Sequence, residues 1–427
     1  MDFLLKEFFK KERWESAIDV GVGKKIDKGE LRSLTTPETR IRLYNAIRND
    51  NYAIAPPRIA LIPKDEPGKF REVMICENVD RIVLSIINNM FFELFPEFVH
   101  DSCYSYKSGV GCGRVVQAVS RECVKIKGDV IGKKYDLQKY FDNVAIQYID
   151  ELFDKMELKY GKSKIIDIVR AFYHSDILFN ENGDLITVYK SIKQGTATSS
   201  FMADALLYHI DEKLSNFKGI GYWRYSDDIL ILGDNYLEAD KILKGMLMDM
   251  GLTINPRKEQ VLDNKHFFKF LGFQVKGSQI TLSKSRIKSF QYEIEKRTIK
   301  AKGANNSKNI TLKRAINQVN NYLYKGDGQY SWATSVLPII NVEKDIDMLN
   351  EFVLDALRAC ATGKKKIGGL GSVNDREDYT ILRGVGRNVS ANRKKTEKEI
   401  ENYLSIRCMQ NALLTRRAVY DTLVRSM

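Results

Sequence analysis

Histidine is scarce in this sequence, and paired cysteines are missing. It carries four histidines and six cysteines in 427 residues, and no two cysteines form a Cys-x-x-Cys pair. That argues against a zinc centre, and a disulfide framework is not expected in so large a chain lacking an export signal. A catalytic metal is therefore expected to be held by oxygen, which means Mg²⁺ or Mn²⁺. Long apolar runs are missing as well. The densest, at 82–95, is interrupted by Ser85, Asn88, Asn89 and Glu93, so no membrane-spanning helix is expected. The opening MDFLLKEFFKKERWE lacks the basic, apolar, small order of a signal peptide, and its Leu and Phe spacing is that of an amphipathic helix. The expected address is the cytoplasm. No internal repeat is visible.

What is present is a globular balance with a basic excess. Hydrophobic residues make up 44% and charged residues 29%, which suits a folded chain rather than a disordered one. The length allows two or three substructures around a sizeable core. A net charge of +13 suits a polyanionic partner, either nucleic acid or an anionic membrane surface.

The first 55 residues read as helices, with TTPETRIRLYNAIRND offering a Thr-Pro start and apolar residues at Ile41, Leu43, Tyr44 and Ile47. RIALIPKDEPGKFREVMI reads as two strands around a Pro/Gly/Asp turn, a hairpin loaded with Lys64, Lys69 and Arg71. A helix, NVDRIVLSIINNMFFELF, and a Gly-punctuated loop into another helix follow. KKYDLQKYFDNV at 133–144 reads as a strand running into a turn. Segments 145–175 and 198–216 read as helical around a short hairpin at ENGDLITVYK. After a hairpin at RYSDDILIL come a helix at 237–250 and a strand, KFLGFQV. The pattern from 284 to 360 is helical and basic. Residues 361–393, rich in Gly and charge, read as a loop, and the tail reads as a helix.

Within RYSDDILIL (224–232), Asp227 and Asp228 stand side by side ahead of an apolar run that reads as a buried strand. Adjacent like charges at the lip of such a strand repel each other and lose hydration. They persist in a tight, hydrated turn, or beside a strong positive charge such as a divalent metal ion. Asp136 also ends an apparent strand. Strand-end carboxylates far apart in sequence can meet on neighbouring strands and clamp two metal ions, which stabilise both oxygens of a phosphoryl transfer. Between them lies KQGTATSS (193–200), a Gln-Gly turn of small residues where a nucleic acid could approach the backbone closely.

Six segments, in order over 58–273, resemble the reverse transcriptases. RIALIPKDEPGKFREV resembles their fingers hairpin, DLQKYFDNV their first palm motif and KQGTATSS their Gln-Gly motif. RYSDDILIL resembles their YxDD box, NPRKEQ the lysine-bearing segment after it, and FKFLGF the primer-side turn. Each is weak alone; the ordered set carries the resemblance. It implies a metal set of Asp136, Leu137, Asp227 and Asp228 for two Mg²⁺ ions, with Mn²⁺ as the alternative. Asp136 and Asp227 would be the principal ligands, and Asp228 would either ligate or shape the local field.

The same resemblance implies that Lys64 or Lys69, with Arg71, holds the incoming triphosphate, since fixed cations neutralise charge on the transferring group. A solvated β-turn is the plainer reading of those lysines. Phe141, five residues after Asp136, stands where the family packs an aromatic under the sugar and excludes a 2′-hydroxyl. That implies deoxynucleotides; RNA-templated RNA polymerases typically carry Asp at this spacing. Gln194 and Gly195 would lie along template and nucleotide. Lys258 would protonate the leaving pyrophosphate, unless it is simply a surface lysine. Tyr225 and Gly272 would support the site and the primer.

Departures narrow the resemblance. Ser200 stands where the Gln-Gly motif usually has Pro, and Ser226 where retron and group II intron enzymes typically have Ala. The Asn-x-x-His and Val-Thr-Gly signatures of retron enzymes, a His/Cys-rich nuclease segment and an RNase H-like carboxylate set are not found. What remains resembles the solitary bacterial enzymes of the unknown group, many of them antiphage defence proteins. The expected fold is α+β: a right-hand polymerase with fingers and palm over 1–280, an antiparallel palm sheet packed on helices, a helical thumb at 281–360, and a basic extension at 361–427 made of a Gly/Lys/Arg-rich loop and a C-terminal helix. The expected activity is RNA-directed DNA polymerisation from dNTPs, copying a dedicated noncoding RNA into complementary DNA in antiphage defence. Its partners would be that RNA template, the DNA product and dNTPs, with no membrane; the oligomeric state is open. Two rivals stand beside it: template-independent synthesis primed on a tyrosine, and an RNA-binding protein that kept the palm but lost turnover.

Overall fold

The computed structural model describes residues 2–19, 26–63, 70–106, 111–301, 310–325, 331–362, 370–372, 381–383 and 406. The chain divides into two units, one formed by residues 1–106 and 132–260 and the other by 107–131 and 261–427. In chain order to residue 263 the strands are β1 (Arg58–Pro63), β2 (Phe70–Ile75), β3 (Val130–Asp136), β4 (Ile177–Phe179), β5 (Leu185–Thr187), β6 (Gly221–Tyr225), β7 (Asp228–Leu232) and β8 (Gln260–Asp263).

Ile229 to Leu232 are wholly buried, and β7 accordingly takes an interior place in a sheet of order β6-β7-β3-β8, antiparallel to both β6 and β3. A continuous apolar run is what a strand covered on both faces requires. Gly132 in β3 makes the close fit possible. Its φ is 151°, and a Cβ there would lie 2.0 Å from the Ile231 carbonyl oxygen.

Helices supply the rest of this core. In Asn78–Leu94 the buried Ile82, Val83, Ile86, Ile87, Met90 and Phe91 recur at helical spacing and form one apolar face. Asn88, which interrupts the apolar run in sequence, bridges two helices, since its Oδ1 accepts from the Ser200 hydroxyl at 2.9 Å. Helix Pro37–Arg48 begins as the Thr-Pro signal predicts, with Pro37 in its first turn and Thr36 Oγ1 accepting from the Thr39 N–H. Helix Lys164–His174 is capped by Ser163 and buries Ile165, Ile166, Val169 and Tyr173. A second sheet, β2-β1-β4-β5, contains the basic hairpin. The connection between β1 and β2, with Lys64 and Lys69, lies outside the described residues.

In the second unit, β9 (Phe268–Phe270), β10 (Phe273–Lys276) and β11 (Gln279–Leu282) form an antiparallel meander. By its apolar pattern KFLGFQV reads as one strand, but the chain reverses within it, at the segment FKFLGF that resembles a primer-side turn. Leu271 at φ 47° and Gly272 at φ 80° make the turn, and a left-handed leucine is invisible to an apolar pattern. Helix Cys112–Lys125 buries Val115, Val116, Val119 and Cys123, and Ser120 donates to the Gly277 carbonyl at 2.7 Å. Helices Lys284–Arg297, Leu312–Asn320 and Glu343–Thr362 follow, the last held to β11 by a 2.6 Å bond from the Thr281 hydroxyl to Asp345. Short strands β12 (Leu370–Ser372) and β13 (Ile381–Arg383) pair within the segment read as loop. The helix expected in the tail lies outside the described residues, of which only 406 belongs to that stretch. No helix among the described residues is long and apolar enough to cross a membrane.

Candidate active site

Strands β3 and β7 place Asp136 directly opposite Asp228. Residues paired in this way project from the same face, so the two carboxylates are neighbours. Asp227 occupies the two-residue turn between β6 and β7, following Ser226 at φ 55°. A positive φ at the first central position is what a tight hairpin of matching twist demands. The Leu137 N–H donates to the Asp227 carbonyl at 3.1 Å and ties the turn to the end of β3.

Three like charges gathered at one sheet end repel one another unless cations answer them. Two lysines do so. Lys258 Nζ is 2.6 Å from Asp136 Oδ2, and Lys134 Nζ is 3.2 Å from Asp228 Oδ1. Burial, and after it the charges of Asp228 and Asp136, push the Asp227 pKa above the ordinary carboxylate value. Among the described residues, no three His, Cys, Asp or Glu side chains converge into a ready metal cage. The donor chemistry still fits a hard dication: only carboxylate oxygens, close together and mutually repelling. Leu137 differs from the other three, because its side chain is buried and apolar and only its backbone carbonyl has the chemistry of a ligand.

The Gln-Gly turn abuts the basic hairpin. The Gln194 carbonyl accepts from the Met74 N–H at 2.7 Å, and Gly195 adopts φ 100°. Arg71 stands on the same strand β2, exposed and paired with Ile62. Lys193, at the head of the motif, is buried rather than presented to solvent. Its Nζ donates to the Ser175 carbonyl at 2.7 Å over the Phe172 ring, and burial pulls its pKa down to about 8. Phe141 is half-buried against the core, edge-on to Tyr140 at 5.6 Å, and its carbonyl accepts from Ser191 at 2.8 Å. The Tyr140 hydroxyl is committed to the Ala203 carbonyl. The first unit thus contains Asp136, Leu137, Asp227, Asp228, Lys258, Arg71, Phe141, Gln194 and Gly195, while Lys64 and Lys69 fall outside the described residues.

Reading the sequence missed the layer behind the aspartates. Arg224 is fully buried, and its Nε and Nη2 clamp Asp211 at 2.7 and 2.5 Å. Burial alone would lower the guanidinium pKa, but the Asp211 carboxylate more than offsets this and holds it above the ordinary arginine value. Asp204, also fully buried, accepts from the Ser105 hydroxyl at 2.5 Å, and burial pushes its pKa up to about 6. The one available signal was an arginine inside GYWRY, a strand otherwise aromatic, where a charge must have a partner.

The family model described as reverse transcriptase (RNA-dependent DNA polymerase) matches residues 62–275, half of the chain. No curated protein matches. Among solved structures, telomerase from Candida albicans in complex with a TWJ fragment of telomeric RNA is similar at 12% identity and TM-score 0.47, over 73% of this chain and 55% of that one. Apo telomerase from Candida tropicalis is similar at 14% identity and TM-score 0.45, over 73% and 59%. The same protein truncated from its C-terminal domain gives 15%, 0.42, 56% and 59%. This chain therefore spans less than two thirds of each of those chains. With the paired carboxylates at the ends of β3 and β7 and a family match that covers half its length, the chain belongs to the reverse transcriptases, the RNA-dependent DNA polymerases.

Proposed function

We propose that this polymerase copies a dedicated noncoding RNA into DNA as part of antiphage defence, with Asp136, Asp227 and Asp228 as its metal-binding carboxylates. The observation that carries the site is the register of β3 and β7, which sets Asp136 against Asp228 with Asp227 in the adjoining turn. Reverse transcriptase domains generally use divalent ions, typically Mg²⁺. When bound, such ions stabilise the attacking and departing oxygens of the displacement at the α-phosphate.

The chain's own residues do the rest. Asp136, Asp227 and Asp228, with the Leu137 carbonyl, would hold the ions; Arg71, with Lys64 or Lys69, binds the triphosphate. Phe141 closes the space that a 2′-hydroxyl would need. Gln194 and Gly195 line the path of template and nucleotide, and Lys258, already beside Asp136, delivers a proton to the leaving pyrophosphate. The net charge of +13 and the Lys/Arg-rich segment after 361 favour an RNA partner, since phosphate contacts dominate such binding. The defence role rests on the resemblance to solitary bacterial enzymes.

The test is to purify the protein from its native locus and sequence the nucleic acid bound to it, beside the Asp227→Ala/Asp228→Ala variant. One abundant noncoding RNA in both samples, with its complementary DNA only in the active one, is the expected result. Random DNA, or DNA attached to a tyrosine, would replace this reading with untemplated, protein-primed synthesis. DNA synthesis by the double variant would sink the site.

A further inference from the structure

Ser226 carries the turn that presents Asp227, and it does so in a left-handed conformation that a non-glycine residue adopts at a cost. Both of its backbone polar groups are held from behind. Its N–H donates to Ser105 Oγ at 2.9 Å, and its carbonyl accepts from Arg224 Nη1 at 3.2 Å. Each holder is itself anchored. The Ser105 hydroxyl has one proton, which goes to Asp204 Oδ1, so its lone pairs are left for the Ser226 N–H. Arg224 is locked by the two-point clamp on Asp211 and by a 2.8 Å bond from Nη2 to the Asp204 carbonyl. The segment bearing Ser105 is fixed in turn, because Arg224 and Tyr104 donate backbone bonds to the carbonyls of Ser102 and Arg224 at 3.0 and 2.9 Å.

We propose that Ser105 and Arg224 are positioning residues for catalysis: together they grip the Ser226 peptide groups and so set the direction in which Asp227 presents its carboxylate to a divalent ion. The proposal rests on the reading of Asp227 as a metal ligand. A merely structural cluster would need only to satisfy its own buried charge, which the Arg224–Asp211 clamp already does. The bonds to Ser226 are additional, and they converge on the left-handed residue that leads directly into Asp227. Ser105 is the cleaner probe, since it is neutral and its loss leaves the clamp intact, with the Ser226 N–H unpartnered.

The experiment compares wild type, Ser105→Ala and Asp204→Asn for three quantities: hydrogen exchange at the Ser226 amide, Mn²⁺ affinity of the free protein by electron paramagnetic resonance, and kcat against KM for template–primer. In Ser105→Ala the amide should exchange at least tenfold faster, Mn²⁺ should bind several-fold more weakly, and kcat should fall about tenfold with KM unchanged, on the scale of one lost buried hydrogen bond. Asp204→Asn keeps an oxygen for the Ser105 hydroxyl and should stay near wild type in all three. Wild-type amide protection and Mn²⁺ affinity in Ser105→Ala would overturn the proposal, even with Asp227 still essential. If Ser105→Ala does not fold, Asp204→Leu removes the same anchor; unchanged exchange at Ser226 there would overturn it equally. Unaltered Mn²⁺ binding on losing Asp227 itself would instead remove the metal-site reading beneath it.

Discussion

Asp136 and Asp228 face each other across an antiparallel strand pair, and each is answered by its own lysine, Lys258 at 2.6 Å and Lys134 at 3.2 Å. Like charges directly opposite one another destabilise a sheet. The two lysines answer that repulsion, and a divalent ion bound there, as proposed above, would compete with them for the same carboxylates.

That competition makes Lys258→Met informative. The bridge is half-exposed, so its loss should cost the metal-free protein no more than about 1 kcal/mol. With Asp136 engaged by Mg²⁺ the cost should shrink. Thermal melts of wild type and variant, in EDTA and in millimolar Mg²⁺, check this: an equal drop in both conditions would separate Lys258 from the metal site. If Lys258 also delivers the proton to pyrophosphate, kcat should fall by about 10²-fold or more, the scale of general acid catalysis.

The Phe141 ring packs edge-on against the Tyr140 ring, and Ser191 fixes its backbone by donating to the carbonyl. Phe141→Ala should open that space. The ratio of kcat/KM for dNTP over rNTP is expected to fall at least about tenfold, the loss of roughly one unfavourable steric contact. An unchanged ratio would take Phe141 out of sugar selection.

Gly195 offers a test of the contact between the Gln-Gly turn and β2. At φ 100°, a Cβ would sit 2.9 Å from Val73 Cβ and 3.0 Å from the Met74 N and O. Gly195→Ala therefore brings both backbone strain and a clash, together about 2–4 kcal/mol. A lowered melting temperature with a raised KM for dNTP is expected. A variant that melts like wild type would mean the turn moves freely off β2.

The parts of this site that were legible in the sequence are those set by local pattern. The run Ile229–Leu232 reads as a buried strand with the doublet at its lip, which its burial matches, and elsewhere in the fold the Thr36–Pro37 cap marked its helix start. What could not be read is pairing. Nothing in the string says that Asp136 lands on Asp228 rather than on Leu230, because register depends on the whole sheet. Nor does it say that Lys134, two residues before Asp136, reaches Asp228, or that the arginine of GYWRY finds its partner on a helix thirteen residues upstream. The turn inside KFLGFQV was hidden from the apolar pattern, because Leu271 takes a left-handed angle that its apolar neighbours disguise, and only the resemblance of FKFLGF to a primer-side turn pointed to it.

Asp204 makes its own contribution to the pH dependence of stability, and its sign follows from burial. Burial raises its pKa from 3.8 to about 6, against the pull of Arg224, and its Oδ2 has no hydrogen-bond partner among the described residues. Between those two values the folded state holds more protons than the unfolded state, so this group's contribution to stability falls as pH rises through that window. Above about 6 the carboxylate is ionised in both states and the contribution levels off. Asp204→Asn cannot titrate and keeps the acceptor for Ser105. The stability of wild type minus that of Asp204→Asn should therefore decline from about pH 4 to about pH 6 and then stay flat, with a slope of at most roughly 1.4 kcal/mol per pH step of one. Denaturant melts of both proteins at four or five pH values measure this difference. A flat difference across the window would mean that Arg224 keeps Asp204 ionised throughout, and a rising one would reverse the balance between burial and the guanidinium.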